Sequence, residues 1–244
     1  MIRVGVFGAG GKMGQAVCTA VAADSELELV GRVDPHGADC VASPDGIHAD
    51  VWVDFTVLEA ARANLAWCAS NGAHAVVGTT GFTAADLDGF RSTFVASNCL
   101  IAPNFAIGAL LMMRFAEMAA PWFEGAEVIE LHHDTKADAP SGTAMLTVQR
   151  MAAASDQWAP DPTKNEVIHG ARGGVGPANI HVHSVRLRGM VAHQEVILGT
   201  TGQSLTIRHD SYDRTSFMPG VVLGCKRIAD HPGVTIGLDV LLGM

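Results

Sequence analysis

The stretch that decides the fold is IRVGVFGAGGKMGQAVCTAVAA, residues 2–23. Its β-branched start, Ile2–Phe7, predicts a buried strand that ends at glycines, and a helical pattern runs from Gln15 to Ala23. Between the two, glycine recurs at every third position, at Gly8, Gly11 and Gly14. Glycines in such a turn let the backbone approach a pyrophosphate, and the helix start offers it N–H donors and a partial positive charge.

An acidic residue follows at the distance that a nucleotide site requires. The predicted strand Leu27–Val33 ends at Asp34, twenty residues beyond Gly14, where a carboxylate can accept hydrogen bonds from an adenosine ribose. The glycine pattern is GxxGxxG, a variant of GxGxxG, because Met13 stands where the template has a glycine. A glycine-rich turn that binds nothing is the alternative, but strand, helix and Asp34 together predict dinucleotide binding.

Strands and helices then alternate up to about residue 105. We expect strands at 51–55, 75–78 and 100–102 and helices at 58–70 and 84–96, which predicts a doubly wound parallel sheet of Rossmann type. Ligands of such sheets bind beyond the carboxyl ends of the strands, so the loops that follow these strands should face the cofactor. Taken alone, Gly78–Gly81 is equally typical of a helix cap. The residues expected to contact the cofactor are Gly8, Gly11, Lys12, Met13, Asp34, Gly78, Thr79, Thr80, Ala102, Pro103, Asn104 and Phe105.

The second half changes character. After a predicted helix at 107–120 and a strand at 126–131 comes HHDTKADAPSGTA, residues 132–144, and then a helix at 144–154. A loop at 156–177 leads to alternating strands at 180–187, 192–198 and 204–209, which indicate a smaller α+β domain, and helical character returns at 217–229. A helix that starts after Ser141, Gly142 and Thr143 offers N–H groups to an anion.

The composition narrows the classes of function. A net charge of −9 argues against a nucleic-acid surface, and no apolar run reaches 18 residues, so we expect neither nucleic acid nor membrane as a partner. Five scattered cysteines fit free thiols in a reducing compartment, and the N-terminus carries no signal-peptide pattern, so we expect a cytoplasmic protein.

Several motifs together resemble one enzyme family. EVIELHH at 127–133, Lys136, Asp138 and PSGTA at 140–144 are similar to the signature of 4-hydroxy-tetrahydrodipicolinate reductases, the older dihydrodipicolinate reductases, and the actinobacterial members are the most similar. The likeness extends to GAGGKMG, GTTGF, APNFAIG and HSVRLRGMVAHQEV and so covers nearly the whole chain. It implies a dinucleotide-binding domain formed by 1–105 and 216–244, and a substrate-binding and tetramerisation domain at 106–215 in a homotetramer.

The resemblance also implies a reaction: reduction of a small cyclic dicarboxylate by NADH or NADPH in the diaminopimelate route to lysine. It makes His132 the proton donor and Lys136 a second donor or electrostatic partner. The implied substrate-binding residues are His133, Lys136, Ser141, Gly142 and Thr143. From spacing alone, the two histidines are more often polar surface than catalytic groups.

The acidic Asp34, followed by Pro35 where NADPH-preferring members often have arginine, predicts a preference for NADH. We expect residual use of NADPH through Lys12 and Arg32. No metal is expected: His181 and His183 share a strand face that could suit one, but packing or an interface is the favoured interpretation, and the role of Arg172 stays open. Two other functions stay open, an oxidoreductase of another type, such as an aspartate dehydrogenase, and a catalytically silent dinucleotide sensor.

Overall fold

The computed structural model describes all 244 residues. They form two compact units, Met1–Ile107 with Arg214–Met244, and Gly108–Asp213. The first unit is therefore built from two separate segments of the chain. Which unit binds cofactor and which binds substrate stays a prediction.

The chain contains eleven strands and six α-helices. The strands are β1 Ile2–Phe7, β2 Leu27–Val33, β3 Val51–Asp54, β4 His74–Val77, β5 Cys99–Ile101, β6 Gly125–His132, β7 Gly174–Val175, β8 His181–Arg186, β9 Ala192–Thr200, β10 Gln203–Ser211 and β11 Val234–Ile236. The helices are α1 Lys12–Ala23, α2 Leu58–Ser70, α3 Ala84–Thr93, α4 Ile107–Ala119, α5 Gly142–Ala154 and α6 Met218–Arg227. None of them is long and apolar enough to cross a membrane.

The first unit contains a six-stranded sheet in the order β11-β5-β4-β3-β1-β2, and every pair in it is parallel. Both faces are covered at the centre of the sheet, where all four residues of β3 are buried and Val4 and Val6 of β1 are completely buried. Trp52 is stacked on Phe7 in the core. The predicted parallel α/β sheet is confirmed.

The order of the strands creates a topological switch point between β1 and β3. From β1 the chain moves to β2 on one side and later to β3 on the other, so the connections after β1 and β3 leave in opposite directions. In open α/β sheets ligands bind at such a switch point, beyond the carboxyl ends of the strands. The glycine turn, Asp34 and the loops after β3, β4 and β5 all lie at the carboxyl ends of these strands.

Two features of the first unit differ from the sequence prediction. Helix α1 begins at Lys12 rather than Gln15, because the N-cap is Gly11, and Gly14 therefore lies inside the helix. Strand β11 was not predicted, since three residues carry too little pattern to be recognised. It pairs with β5 and forms the edge of the sheet.

The second unit contains a mixed five-stranded sheet in the order β10-β9-β6-β8-β7. Strands β6 and β8 run parallel, and the remaining pairs are antiparallel, as the alternating pattern without intervening helices predicted. The short β7 falls inside the stretch predicted to be a loop.

Alternation along β6 gives this sheet two chemically different faces. Val128 and Glu130, both fully buried, point to the face that α5 covers, and Thr147 of α5 accepts a hydrogen bond there from Gln194 of β9. Glu127, by contrast, points to the opposite face. His132 is two residues after Glu130, so its side chain points to the same face of the sheet, the face that α5 covers.

Candidate active site

The glycine turn after β1 holds the start of α1 very close to the strand. Gly8 has a φ of 71°, a left-handed conformation that favours glycine, and its carbonyl accepts the N–H of Gly11. A Cβ at Gly14 would lie 2.0 Å from the carbonyl oxygen of Gly8, so only glycine fits there. The first turn of α1 has neither a side-chain cap nor an acidic residue, which leaves its N–H groups suited to an anion.

Asp34 lies directly beside this turn. One carboxylate oxygen accepts the N–H of Gly10 at 3.1 Å, and the other accepts the N–H of His36 at 2.9 Å. A carboxylate has about four acceptor positions, so both oxygens keep capacity for ribose hydroxyls. A Cβ on Gly10 would lie 2.6 Å from the Cα of Gly37, so the loop after Asp34 closes against the glycine turn.

Arg32 and Lys12, the cations expected to accept NADPH, are in different surroundings. Arg32 lines a groove with Gln15 and Cys18, and its buried Nε has no hydrogen-bond partner. Lys12 is exposed in the first turn of α1.

The loops after β3 and β4 are joined by the buried carboxylate of Asp54. This side chain is 1% exposed and accepts hydrogen bonds from Thr56, Asn64 and the hydroxyl of Thr79. The Thr79 side chain is therefore part of the scaffold, and only its backbone can serve a ligand, whereas Thr80 is exposed.

The loop after β5 is packed in a similar way. The Phe105 ring is 2% exposed and lies 5.6 Å from the Phe55 ring, so its side chain belongs to the core. The Asn104 side chain accepts the N–H of Ala106. A Cβ on Gly220 of α6 would lie 2.1 Å from the Phe105 carbonyl oxygen, so the C-terminal segment supports this loop closely. Ala102 is buried and Pro103 is exposed.

In the second unit, β6 ends in a compact ionic cluster. The His132 Nδ1 is hydrogen-bonded to the carboxylate of Glu130, two residues earlier on the same face of the strand. Arg186, paired with His132 across β6 and β8, holds both oxygens of Glu130 at 3.0 and 2.7 Å. The same guanidinium also donates to the Asp138 carbonyl at 2.7 Å.

The cluster shifts the pKa values of Glu130 and His132. Burial raises the pKa of Glu130, but hydrogen bonds from Arg186, Ser184 and His132 outweigh burial and hold that pKa below its usual value. Burial lowers the pKa of His132, and the positive charges of Lys136 and Arg186 add to this against the pull of Glu130. The ligand-free protein therefore favours neutral His132 at neutral pH.

Lys136 lies in the turn after β6 and is paired with an exposed carboxylate. Its ammonium contacts the two carboxylate oxygens of Asp138 at 2.7 and 2.9 Å, while the Asp138 side chain is 62% exposed. Such an exposed pair is weak, so Lys136 can exchange Asp138 for another carboxylate.

The remaining predicted substrate residues lie in the turn after β6 and at the start of α5. Ser141 is 4% exposed, and its hydroxyl caps α5 by accepting the N–H of Ala144. A Cβ on Gly142 would meet nothing within 4 Å, so packing does not require glycine there. His133 is bonded through Nδ1 to the Thr135 hydroxyl, and Thr143 is the second residue of α5.

The opposite face of the same sheet carries a second ionic cluster. Glu127 accepts hydrogen bonds from Arg172 at 2.7 Å and from His183 at 2.6 Å. Arg172 also contacts Asp161, and the Nδ1 of His181 donates a hydrogen bond to the Arg172 carbonyl at 2.7 Å. No group of three or more metal-ligating side chains occurs in the structure.

Comparisons of the sequence identify the family. A sequence profile described as "Dihydrodipicolinate reductase, N-terminus" matches residues 2–105, and one described as "Dihydrodipicolinate reductase, C-terminus" matches residues 108–242. The chain belongs to the dihydrodipicolinate reductase family. Its prediction as a pyridine-nucleotide-dependent oxidoreductase of this family is confirmed.

Relatives in this family are similar along their whole length. The 4-hydroxy-tetrahydrodipicolinate reductase of Nocardia farcinica is 54% identical over 100% of this chain and 99% of the relative. That of Cutibacterium acnes is 51% identical, with 100% of both chains covered. A solved structure, "Dipicolinate bound Dihydrodipicolinate reductase from Paenisporosarcina sp. TG-14", is 38% identical, covers 98% of this chain and 99% of its own, and gives a TM-score of 0.88.

More distant structures share the fold alone. An amine dehydrogenase from Mycobacterium smegmatis superposes with a TM-score of 0.61 at 11% identity, covering 96% of this chain and 94% of its own.

The structure adds residues that the sequence prediction did not include. Glu130 and Arg186 are buried or partly buried charges with several partners. One signal was available: Glu130 stands two residues before His132 on the same strand, which places both side chains on one face.

Proposed function

We propose that this chain catalyses the NAD(P)H-dependent reduction of 4-hydroxy-tetrahydrodipicolinate to tetrahydrodipicolinate in the diaminopimelate route to lysine. The observation that supports it most is the arrangement of His132 and Lys136 at the end of β6, directly before the capped start of α5, in a chain of this family. A cyclic dicarboxylate needs a proton donor, a cation and backbone N–H donors, and this segment contains all three kinds of group.

The residues of the first unit fit a dinucleotide. The uncapped start of α1 and the close turn at Gly8 and Gly14 suit a pyrophosphate, and the free acceptor positions of Asp34 suit ribose hydroxyls. The loops Gly78–Thr80 and Ala102–Phe105 would contribute mainly backbone, because the side chains of Thr79 and Phe105 are occupied by packing. Bound NADH or NADPH would supply the hydride.

In the second unit, the side chains would manage charge and protons. The His132 Nε2 would deliver the proton that the reduced substrate requires, since Nδ1 is bonded to Glu130. Lys136 would leave Asp138 for a substrate carboxylate, and the backbone at Gly142 and Thr143, at the capped start of α5, would bind another carboxylate. His133, in the exposed turn, would contact the substrate, and Ser141 would fix the helix start.

A substrate with two carboxylates would also prepare the acid. Burial lowers the pKa of His132 in the free protein, and two nearby negative charges would raise it again. Binding would therefore favour the protonated form that the reaction uses.

We further propose a preference for NADH. The Asp34 carboxylate would repel a 2′-phosphate, and Pro35 supplies no cation beside it. Residual use of NADPH would depend on Lys12 and on Arg32, whose guanidinium lies in the groove beside Gln15. Equal kcat/KM for the two cofactors would contradict this preference.

The deciding assay follows NADH oxidation by the purified protein while the upstream synthase makes the substrate from aspartate semialdehyde and pyruvate. Oxidation that depends on the synthase is expected. NADH binding without such oxidation would instead favour another oxidoreductase or a silent sensor.

Gly142 offers a separate test of substrate placement. Gly142→Ala should fold normally, because the added Cβ meets open space, yet it should raise KM if a carboxylate approaches the backbone there. Gly89→Ala in α3, whose Cβ also meets nothing within 4 Å, is the matched control and should leave KM unchanged. An unchanged KM in both variants would remove Gly142 from the site.

We also propose a cytoplasmic homotetramer that pairs through the alternating strands β8, β9 and β10. Partly exposed apolar side chains on these strands, such as Leu205 at 38% exposure, support this surface. Light scattering coupled to gel filtration measures the oligomer number.

A further inference from the structure

The carboxylate of Glu130 is the most deeply buried acidic group in the second unit, with a relative exposure of 0%. A buried charge is stable only when it is paired and its acceptor positions are filled. Two hydrogen bonds from Arg186 fill them on one side, and the ring of His132 fills another. Glu130 therefore connects a fixed cation to the imidazole at the end of β6.

This contact determines which ring nitrogen of His132 carries a proton. An ionised carboxylate only accepts hydrogen bonds, so the Nδ1 of His132 must be the donor. In the neutral ring this leaves the lone pair on Nε2, which makes no hydrogen bond within the chain. When the ring is protonated, the second proton is therefore on Nε2, and this is the proton that can leave.

Arg186 ties the pair to the loop that carries Lys136. Its guanidinium donates to both Glu130 oxygens and, in addition, to the Asp138 carbonyl at 2.7 Å. Asp138 is also the partner of Lys136. One guanidinium thus fixes both the carboxylate behind His132 and the backbone beside Lys136.

We infer that Glu130 is a positioning residue for the reaction, which holds His132 as the Nδ1–H tautomer and stabilises its protonated ring, and that Arg186 fixes Glu130 for this purpose. The inference rests on the proposed function of His132 as proton donor. Neither residue needs to touch the substrate. In the same way, the buried aspartate of a serine-protease triad orients its histidine.

Glu130→Gln removes the negative charge and keeps the shape of the side chain. We expect kcat to fall by about 10- to 10³-fold, with the affinity for NADH unchanged, because the Gln amide neither stabilises the imidazolium nor enforces the tautomer. The limb of the pH profile that reports His132 should move to lower pH, since a carboxylate that favours the charged ring is lost.

Nitrogen NMR of histidine-labelled protein reports the tautomer directly, and the His132 signals are identified by their loss in His132→Gln. The wild-type ring should show Nδ1–H, and Glu130→Gln should show Nε2–H or a mixture. If Glu130→Gln leaves Arg186 uncompensated and does not fold, the double variant Glu130→Gln/Arg186→Met removes both charges and gives the same readouts.

Glu127→Gln is the matched control. It makes the same change on the same strand, to a carboxylate that also bonds an imidazole and a guanidinium, but on the opposite face of the sheet. Its kcat, pH profile and His132 tautomer should equal those of the wild type.

Two results would overturn the inference: a kcat within about three-fold of the wild type, or an unchanged tautomer and titration of His132 despite a lower kcat. The second result would mean that Glu130 acts only on stability. A wild-type protein that does not oxidise NADH in the synthase-coupled assay would instead refute the proposed function, and the NMR experiment would still decide whether Glu130 controls the ring.

Discussion

Strand β6 holds two clusters of the same chemical composition, one on each face. Glu130 bonds His132 and Arg186, while Glu127 bonds His183 and Arg172. The carboxylates differ in their surroundings: the Glu130 side chain is 0% exposed, and that of Glu127 is 31% exposed. The composition of a cluster therefore does not indicate its role.

Burial decides what each cluster can do. Charges in a dry environment interact strongly and tolerate only one arrangement of protons, whereas water screens charges that it reaches. The buried cluster also lies beside the turn with Lys136 and the capped start of α5. The partly exposed cluster binds the segment that carries Asp161 and Arg172. We therefore propose proton chemistry for the first cluster and loop attachment for the second.

Replacing each imidazole in turn should give the largest difference in kcat between the two clusters. His132→Gln should lower kcat by about 10²- to 10⁴-fold through the loss of the proton donor, with NADH binding retained. His183→Gln should leave kcat within about two-fold of the wild type, because substitutions at the surface and outside the site usually change stability very little. Steady-state kinetics and NADH fluorescence measure both, and equal losses would refute the division of roles.

The two arginines should differ in their effect on stability. Arg186→Met leaves Glu130 buried and uncompensated, which should lower the free energy of unfolding by about 3–5 kcal/mol. Arg172→Met, at a pair that is about one third exposed on each side, should lower it by less than about 1 kcal/mol. Urea denaturation of each variant against the wild type measures this.

The cost of Arg186→Met should depend on pH. Without the guanidinium, burial raises the pKa of Glu130, so protonation at lower pH removes the uncompensated charge and the difference from the wild type should shrink. A difference that stays constant from pH 7 to pH 5 would show that Glu130 is not the cause.

Proton uptake should distinguish the two imidazoles without turnover. Dipicolinate, a dicarboxylate, should raise the lowered pKa of His132, so the protein should take up as much as about one proton on binding near pH 7. Calorimetry in buffers of different ionisation enthalpy measures the uptake. It should persist in His183→Gln and disappear in His132→Gln.

The smallest expected effect is on the affinity for dipicolinate, when the aspartate paired with Lys136 or with Arg172 is replaced. Asp138→Asn should release Lys136 and raise the affinity for dipicolinate by about two- to five-fold, the strength of an exposed ion pair. Asp161→Asn, beside Arg172, should not change this affinity. A lower affinity in Asp138→Asn would mean that Asp138 orients Lys136 rather than competing for it.

Much of this arrangement could be predicted from the sequence, and most of the exceptions are contacts between residues far apart in the chain. Local patterns predicted the strand, glycine turn and helix around Gly8, and a helix from 144, which in the structure begins two residues earlier, at Gly142. The pairing of Glu130 with Arg186, 56 positions apart, depends on the register of β6 with β8, which no local pattern contains. The bond between Asp54 and Thr79 joins two neighbouring strands in the same way.

The start of α1 was placed three residues late for a different reason. The run Lys12–Gly14 reads as part of a glycine-rich turn, because glycine has a low intrinsic preference for helices. The helix nevertheless includes Gly14, where a Cβ would lie 2.0 Å from the Gly8 carbonyl oxygen, so its close approach to the turn requires glycine.

The pairing of β11 with β5 also has a consequence for biosynthesis. The edge of the first sheet is completed by a strand that the ribosome makes only after the whole of Gly108–Asp213. During translation, β5 therefore leaves the exit tunnel with an unpaired edge and waits while the inserted segment is made, whereas domains usually fold in order from the N-terminus. Nascent chains of this protein should need protection by chaperones over that interval.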